Sequence, residues 1–220
     1  MDEDLDSNLE WNRQRWGQRA GWQEHDEFGY RWGGGTRQTV GELAALADDH
    51  FRPLTEGRYD LRILEIAPGA GRFTAELVRY ASAMCLLDLN DAALEVCRQR
   101  FSHLPTPIEY VTGSGTSFDG VPDGASWDAV VSFDSMVHMH PKVVGSYVAA
   151  LPRVLAPGGF AWFDHSGHGG RSKGHRTAMT DAIMRDLAAD AGLEVVSQDF
   201  RNEWDCISVL RWPAERAAAR

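Results

Sequence analysis

Two carboxylates flank a glycine turn early in the chain. Glu65 ends the apolar run in ILEIAPGAGRF, and Gly69 and Gly71 follow it within the turn. Asp88 closes the next apolar run, AMCLLDL. Glycines let a ligand approach the backbone closely, and a carboxylate at such a turn attracts an ammonium group. An acid at the end of the second run can accept hydrogen bonds from ribose hydroxyls. The spacing therefore predicts a ligand that carries an amine and a ribose.

A dinucleotide fits this turn less well. The stretch Gly69-Ala70-Gly71 continues as Arg-Phe-Thr, so it lacks the third glycine of the Gly-x-Gly-x-x-Gly fingerprint that receives a pyrophosphate. Glu65 would also repel that group. A nicotinamide-binding oxidoreductase stays a weaker alternative, because we find no tyrosine and lysine pair suited to hydride transfer. A noncatalytic cofactor-binding protein is the other rival, and the polar residues described next argue against it.

Acids and histidines follow two later apolar runs. SFDSMVHMH places Asp134 just after one run with His138 behind it, and WFDHSGHGG places Asp164 and His165 at the end of the next. An imidazole is suited to removing a proton near neutral pH, above all when a carboxylate fixes its tautomer. We predict His165 as the general base and His138 as the second candidate. Asp134 is expected to orient or deprotonate the substrate.

The apolar patterning predicts strands and helices in alternation. Strands are expected at 61–67, 83–89, 108–113, 127–133 and 160–165, with a closing strand pair at 193–200 and 203–212. Helices are expected at 71–81, 90–101, 141–155 and 177–192, with a turn at 156–159. This alternation indicates an α/β, doubly wound and mostly parallel sheet with helices on both faces. Ligands of such sheets bind at the carboxyl ends of the strands, where the groups above are expected to meet.

Three motifs, EIAPGAG, LLDLN and RVLAPGGFAWF, lie in this order between residues 61 and 163. They resemble those of the class I S-adenosylmethionine-dependent methyltransferases. The resemblance implies a Rossmann-like, seven-stranded sheet with its last strand antiparallel, and S-adenosylmethionine as cofactor. It implies these cofactor-binding residues: Glu65, Ala67, Gly69, Gly71, Asp88, Leu89, Ser114, Gly115, Thr116 and Phe133. TGSGTSFD departs from the Gly-Asp-Ala that the family often has there, so adenine contacts are expected from residues 114–116 or from Asp119.

Short resemblances point to a small methyl acceptor. SFDSMVHM and FDHS are similar to segments of family members that methylate sugars and other glycan-like hydroxyls. The Asn/Asp-Pro-Pro-aromatic turn of many nucleobase and protein amide methyltransferases does not follow the fourth predicted strand, nor does the glutamate pair of protein arginine enzymes. We expect transfer to a hydroxyl of a sugar or sugar-like natural product, with N-methylation of a small molecule as an alternative.

A metal-dependent mechanism is a further alternative. O-methyltransferases that use a divalent metal carry acids at the places of Asp134 and Asp164. Such an ion would bind two oxygens of the acceptor and lower the pKa of a hydroxyl. The sequence leaves this mechanism and the histidine base open.

Composition narrows the partners. The 220 residues carry a formal net charge of −10, which disfavours nucleic acid because phosphate binding rests on clustered lysines and arginines. No apolar run approaches the roughly 20 residues of a membrane span, and the acidic start MDEDLDSNLE lacks the pattern of a secretory signal. We expect a soluble, cytoplasmic protein without a membrane partner, and the sequence is compatible with a homodimer.

Two segments are expected to complete the site. Residues 1–52 are predicted to form an N-terminal helical lid or extension, ahead of a methyltransferase domain at 53–220. Four of the eight tryptophans lie within residues 11–35, so the segment can either close over a ligand or pack permanently on the domain. The second segment, 165–176, holds Arg171, Lys173 and Arg176, and is either a clamp for an anionic substrate group or a solvated loop.

Overall fold

Seven strands form one sheet in the computed structural model, which describes residues 5–17, 28, 40–122, 126–169 and 176–217. The strands are β1 (Leu61–Ile66), β2 (Ala81–Asp88), β3 (Ile108–Thr112), β4 (Trp127–Ser132), β5 (Leu155–Ser166), β6 (Glu194–Phe200) and β7 (Asp205–Arg211). Their order in the sheet is β3-β2-β1-β4-β5-β7-β6. The first five strands pair in parallel, whereas β7 is antiparallel to both β5 and β6. The predicted Rossmann-like sheet with an antiparallel last strand is confirmed.

Helices cover both faces of the sheet. They are α1 (Leu5–Gly17), α2 (Val40–Leu46), α3 (Thr74–Leu77), α4 (Asp91–Phe101), α5 (Pro141–Val154), α6 (Asp181–Asp190) and α7 (Ala214–Ala217). A π-helical turn, Ala47–Phe51, extends α2, and 3₁₀ turns lie at Arg52–Thr55, Val78–Tyr80 and Met136–His138. None of the helices in the described ranges is long and apolar enough to cross a membrane.

The strand order reverses beside β1, and this reversal locates the site. The chain moves outward from β1 through β2 to β3, then returns to place β4 on the other side of β1. The connections after β1 and β4 therefore diverge and leave a crevice between their ends. Hydrogen bonds tie the crevice walls together: the Ser132 hydroxyl donates to the Ile66 carbonyl at 3.0 Å, and the Ser135 hydroxyl donates to the Ala67 carbonyl at 2.9 Å.

Helix α5 illustrates how local sequence sets the packing. Pro141 occupies its first turn, where a missing N–H costs nothing, and the His140 ring accepts a hydrogen bond from the Lys142 amide at 3.1 Å. Val144, Val148 and Leu151 recur at helical spacing and are fully buried in one of the two hydrophobic clusters that flank the sheet. This packing holds the loop before α5 at the carboxyl edge.

Two predicted boundaries differ from the structure. The helix expected at 71–81 is shortened to α3, because Gly69 and Gly71 adopt positive φ angles of 56° and 77° and extend the turn. The turn expected at 156–159 is a bulge inside β5, where pairing with β4 jumps from Leu155 to Phe160.

The boundary predicted at residue 52 does not separate two cores. Leu43, Ala47 and Phe51 are buried in the same cluster as Leu61 and Ile63 of β1. The part of the N-terminal region that begins at α2 is thus integral to the domain, whereas α1 lies across the carboxyl edge. The other lid residues, 18–27 and 29–39, fall outside the described residues, as do Arg171 and Lys173 of the predicted clamp.

Candidate active site

Asp88 joins the ends of β1 and β2. Its carboxylate accepts hydrogen bonds from the Gly69 amide at 3.2 Å and the Asn90 amide at 2.8 Å. Burial raises the pKa of Asp88 to about 6, against the opposing effect of these amides. The carboxylate is therefore mostly ionised at neutral pH, and each oxygen keeps a lone pair for a further donor. A ribose with two hydroxyls fits this acceptor.

Glu65 lies beneath the glycine turn. It is buried, and its Oε2 accepts a hydrogen bond from the Thr74 hydroxyl at 2.6 Å. Burial raises the pKa of Glu65 to about 7, and the neighbouring Asp88 charge adds to the shift. The hydrogen bond with Thr74 anchors the start of α3 to the end of β1. Glu65 therefore holds the glycine turn in place from the strand beneath it.

Two positions in the turn, Ala67 and Gly71, have backbone conformations that favour glycine. Ala67 has a φ of 54°, in the left-handed region that disfavours a Cβ. Gly71 has a φ of 77°, and a Cβ there would stand 2.5 Å from the Phe101 ring. The need for glycine at position 71 therefore arises from packing against α4, a different reason from the predicted approach of the cofactor.

The left-handed φ angles at these two positions predict opposite changes in stability for Ala67→Gly and Gly71→Ala. Ala67→Gly should raise the free energy of unfolding by roughly 1 kcal/mol, because the left-handed strain of alanine exceeds the extra unfolded-state entropy of glycine. Gly71→Ala should lower it by about 2 kcal/mol or more, since it adds both strain and overpacking. Urea titrations of the two variants check the signs. Equal shifts in the same direction would contradict this assignment.

The loop after β3 receives helix α1. Gly115 has a φ of 91°, and a Cβ there would stand 2.9 Å from Leu9 Cδ2 of α1 and 3.2 Å from Leu89 Cδ1. At the end of the helix, a Cβ on Gly17 would stand 2.6 Å from Asn90 Oδ1. Helix α1 thus contacts the ends of both β2 and β3. This brings the predicted adenine-binding segment under a helical cover.

Ser114 and Thr116 form a local turn beside this contact. The Ser114 hydroxyl accepts a hydrogen bond from the Thr116 amide at 3.3 Å and lies 3.3 Å from the Thr116 hydroxyl. The bonds shape the loop so that Gly115 lies at its tip. The Asp119 carboxylate accepts from the Ser117 hydroxyl at 2.7 Å, which places this acid in the same polar loop.

Helix α1 also reaches the loop after β4, where His138 lies. The Asn8 and Asn12 amides each donate to the His138 carbonyl at 3.1 Å. The His138 ring lies 5.0 Å from the Trp16 ring and 6.1 Å from the Trp11 ring, between centroids. His138 is half-buried and thus lies at the boundary between the crevice and the helical cover.

Asp134 lies between two arginines. Arg72 Nη2 donates to Asp134 Oδ2 at 2.7 Å, and Arg201 Nη2 lies 3.5 Å from Asp134 Oδ1. The Asp134 backbone has a φ of 53°, which aspartate tolerates better than most residues, and its amide donates to Asp164 Oδ2 at 3.1 Å. The Asp134 side chain is thus fixed in position at the end of β4.

Asp164 and Asp205 complete a buried charge network. Arg201 Nη2 donates to Asp164 Oδ2 at 2.8 Å and to Asp205 Oδ2 at 3.2 Å, while Arg176 binds both Asp205 oxygens at 2.6 Å. Burial raises the pKa of Asp164 to about 7 against the opposing charge of Arg201. Asp205 is also desolvated, yet hydrogen bonds from Arg176 and Asn202 lower its pKa. Arg176, predicted as part of an anion clamp, is engaged within this network.

His165 does not suit the predicted role of general base. It is fully buried in β5, with Nδ1 2.8 Å from the Ser166 carbonyl and Nε2 2.7 Å from the Ser208 hydroxyl. A carbonyl only accepts, so Nδ1 carries the proton and Nε2 accepts from Ser208. Burial lowers the pKa of His165, which keeps it neutral. Both nitrogens are occupied by protein groups, and the residue is structural.

Arg201 also changes the interpretation of Asp134 and Asp164 as metal ligands. Its guanidinium lies between the two carboxylates, in the position that the metal hypothesis assigns to the ion. In the part of the chain that the structure describes, no group of three or more His, Cys, Asp or Glu side chains is arranged to hold a metal. The pair is neutralised by protein cations.

The Phe133 ring is packed between other side chains. Its ring packs 4.6 Å from Phe73 and 6.2 Å from Trp162, between centroids, and the guanidinium carbons of Arg72 and Arg201 lie 5.2 and 5.1 Å from its centre. The ring therefore supports the arginines, and its contact with the cofactor stays a prediction.

The sequence did not predict Arg72 and Arg201 as site residues. In the sequence, each is a single basic residue in a turn that borders apolar strands.

Known proteins share this architecture. Residues 63–159 match a family model described as a methyltransferase domain. The N-methyltransferase NodS from Bradyrhizobium japonicum WM9, in complex with S-adenosylhomocysteine, is similar with a TM-score of 0.68 and 18% identity, over 94% of this chain and 99% of that one. Magnesium protoporphyrin IX methyltransferase (ChlM) from Synechocystis PCC 6803 has a TM-score of 0.67 and 13% identity, over 93% and 99%.

A third structure extends the comparison to a sugar-modifying enzyme. CalS10, an amino pentose methyltransferase from Micromonospora echinaspora, gives a TM-score of 0.62 and 19% identity, over 79% of this chain and 92% of that one. No curated protein sequence matches the chain. The matched domain spans the glycine turn, Asp88, the 114–116 loop and Asp134, which are the groups gathered at the carboxyl edge. Residues 63–159 are accordingly a methyltransferase domain, and the chain has the fold of these methyltransferases.

Proposed function

We propose that the protein binds S-adenosylmethionine along the ends of β1, β2 and β3 and transfers its methyl group to a hydroxyl of a small, sugar-like acceptor. His138 is the general base of this proposal. The observation that carries it is the position of His138, which α1 holds after β4 in the loop whose Ser135 hydroxyl bonds to Ala67 of the glycine turn.

The described residues fit the cofactor. Asp88 can accept the ribose hydroxyls, while Gly115 and Leu89 form the surface beneath α1 on which adenine would lie. Glu65 places a carboxylate under the turn that would receive the amino acid end. When bound, S-adenosylmethionine supplies a methyl group on a sulfonium, which a nucleophile displaces in line. These protein groups determine where that methyl group points.

The acceptor side supplies a base and a fixed anion. His138 takes the hydroxyl proton as the new carbon–oxygen bond forms, so that no charged oxonium accumulates. Asp134 is held between Arg72 and Arg201 and orients the acceptor by accepting a hydrogen bond from a second hydroxyl. The rings of Trp11 and Trp16 exclude water from the same side.

An amine is the second candidate acceptor. The aromatic rings of Trp11 and Trp16 beside His138 favour a cationic group by cation–π attraction. Two similar structures are named as an N-methyltransferase and an amino pentose methyltransferase. In this case His138 would remove the proton from the ammonium form before attack.

Calorimetry and an acceptor panel test the proposal. The purified protein should bind S-adenosylmethionine and S-adenosylhomocysteine, and should release S-adenosylhomocysteine with a hydroxylated sugar in preference to its deoxy analogue. An amino sugar methylated at nitrogen would favour the second candidate. Absence of binding to both cofactor forms would overturn the proposal as a whole.

Metal independence is a separate expected outcome. Activity should be unchanged by EDTA and by added magnesium, because Arg201 occupies the space between Asp134 and Asp164. The measurement is methyl transfer before and after dialysis against chelator. Loss of activity that magnesium restores would instead support the metal-dependent alternative.

A further inference from the structure

Asn8 is the buried side chain of α1, although it is polar. Its amide nitrogen donates to the His138 carbonyl at 3.1 Å, and its amide oxygen accepts from the His140 amide at 2.9 Å. An asparagine that bridges a carbonyl and an N–H in this way fits in only one orientation. A buried amide that lost these partners would carry a large desolvation cost. The pair of bonds therefore fixes the register of α1 against the loop.

The loop that carries His138 is held from its other side by a separate segment. The Thr177 amide donates to the Val137 carbonyl at 3.1 Å, and the Thr177 hydroxyl donates to the Met139 carbonyl at 2.8 Å. Carbonyls that alternate along the loop thus point to α1 and to Thr177. Without Asn8, the His138 carbonyl would keep its bond from Asn12, and Thr177 would still hold the carbonyls on either side of it, but the His140 amide would lose its acceptor.

We propose that Asn8 is a positioning residue that aligns His138 with the methyl acceptor by clamping the backbone between the His138 carbonyl and the His140 amide. The inference rests on the proposed function, since it assigns His138 as the base. Helix α1 then has two separate roles. Leu9 lies against Gly115 and Leu89 on the cofactor side, whereas the adjacent Asn8 serves the acceptor side.

Two neighbouring substitutions separate these roles. Asn8→Ala should lower kcat by about 10-fold or more while changing the dissociation constant of S-adenosylhomocysteine by less than about 3-fold. Leu9→Ala should weaken S-adenosylhomocysteine by about 10-fold with a smaller effect on kcat, because it exposes the adenine side. If Asn8 only held α1 on the domain, both variants would show the same pattern, and the proposal would be overturned.

Amide exchange gives a readout that does not need activity. In Asn8→Ala the His140 amide should exchange about 10-fold faster, because it loses its acceptor. Asn8→Asp retains an acceptor oxygen, so it should preserve that protection and recover part of kcat. Asn12→Ala is the matched control, because Asn12 contacts the His138 carbonyl but leaves the His140 bond intact.

Failure of the proposed function and failure of the role assigned to Asn8 give different results. A wild-type protein that bound no S-adenosylhomocysteine would refute the proposed function, while the exchange at His140 would still decide whether Asn8 holds the loop. Unchanged exchange in a folded Asn8→Ala protein would overturn the inference even if methyl transfer were established. Circular dichroism confirms folding in each variant.

Discussion

Replacing Asp88 with alanine should weaken S-adenosylmethionine binding by about 100-fold or more, because two hydrogen bonds to a charged acceptor contribute roughly 1.5–3 kcal/mol each. The substitution also removes the acceptor for the Gly69 and Asn90 amides, so the glycine turn loses its link to β2. Isothermal titration calorimetry with S-adenosylhomocysteine measures the effect.

A matched control distinguishes this role from a general loss of charge. Asp60 lies at the amino end of β1, where its carboxylate pairs with exposed Arg58 at 2.9 Å, and Asp60→Ala should leave binding unchanged. Asp88→Asn retains the size of the side chain but replaces one acceptor oxygen with a donor, so an intermediate loss is expected. Binding of wild-type strength in Asp88→Ala would contradict the placement of the ribose.

The pH dependence of binding should follow the same carboxylates. Burial raises the pKa of Asp88 to about 6 and that of Glu65 to about 7, so both groups take up protons as the pH falls below neutrality. A protonated Glu65 no longer attracts an ammonium group. Affinity should therefore fall between about pH 7 and pH 5, and Asp88→Asn should flatten the lower part of that curve.

Arg201→Met should have the largest effect on stability. It leaves Asp164 without its cation in a fully buried position and removes one partner of Asp205. Breaking a buried ion pair by removing one member costs about 3–5 kcal/mol, which corresponds to a fall of roughly 10 °C in Tm for a chain of this size. Thermal unfolding at pH 8 measures the loss.

The direction in which stability changes with pH shows which carboxylate causes the loss of stability in Arg201→Met. The folded-state pKa of Asp164 is raised to about 7, so its contribution to stability is present below the unfolded pKa of about 4 and is lost as the pH rises through 7. Without Arg201 the raised pKa should rise further, and the cost of the substitution should shrink as the pH falls toward 5. Asp205, whose pKa is lowered, acts in the opposite direction and loses its contribution at more acidic pH.

An exposed arginine supplies the control for Arg201. Arg185 pairs with Asp181 at 2.9 Å on the surface of α6, and Arg185→Met should cost less than about 1 kcal/mol. If Arg201→Met were equally mild at pH 8, Asp164 would not be held as an ionised carboxylate by this network.

The meeting of the glycine turn with Asp88 could be predicted from sequence because these groups are local. Glu65, Gly69 and Gly71 lie within a few residues of one strand end, and Asp88 ends the next strand. Once apolar periodicity predicts parallel strands, their carboxyl ends must share one edge of the sheet. The strand alternation alone therefore brought these residues together.

The acceptor side depended on contacts between distant parts of the chain. His165 is predicted at a strand end, but β5 continues to Ser166, and antiparallel pairing with β7 brings Ser208 to its ring. Arg72 and Arg201 converge on Asp134 from different ends of the chain, and Asn8 reaches the His138 loop across about 130 positions.

Residue spacing by itself determined the sheet, the glycine turn and the acids that organise it, because period and turn chemistry are properties of neighbouring residues. Only the tertiary structure decided which histidine lies at the crevice and which cations neutralise Asp134 and Asp164. Burial and ion pairing arise where remote segments meet, and no local pattern encodes which charged side chain will find which partner.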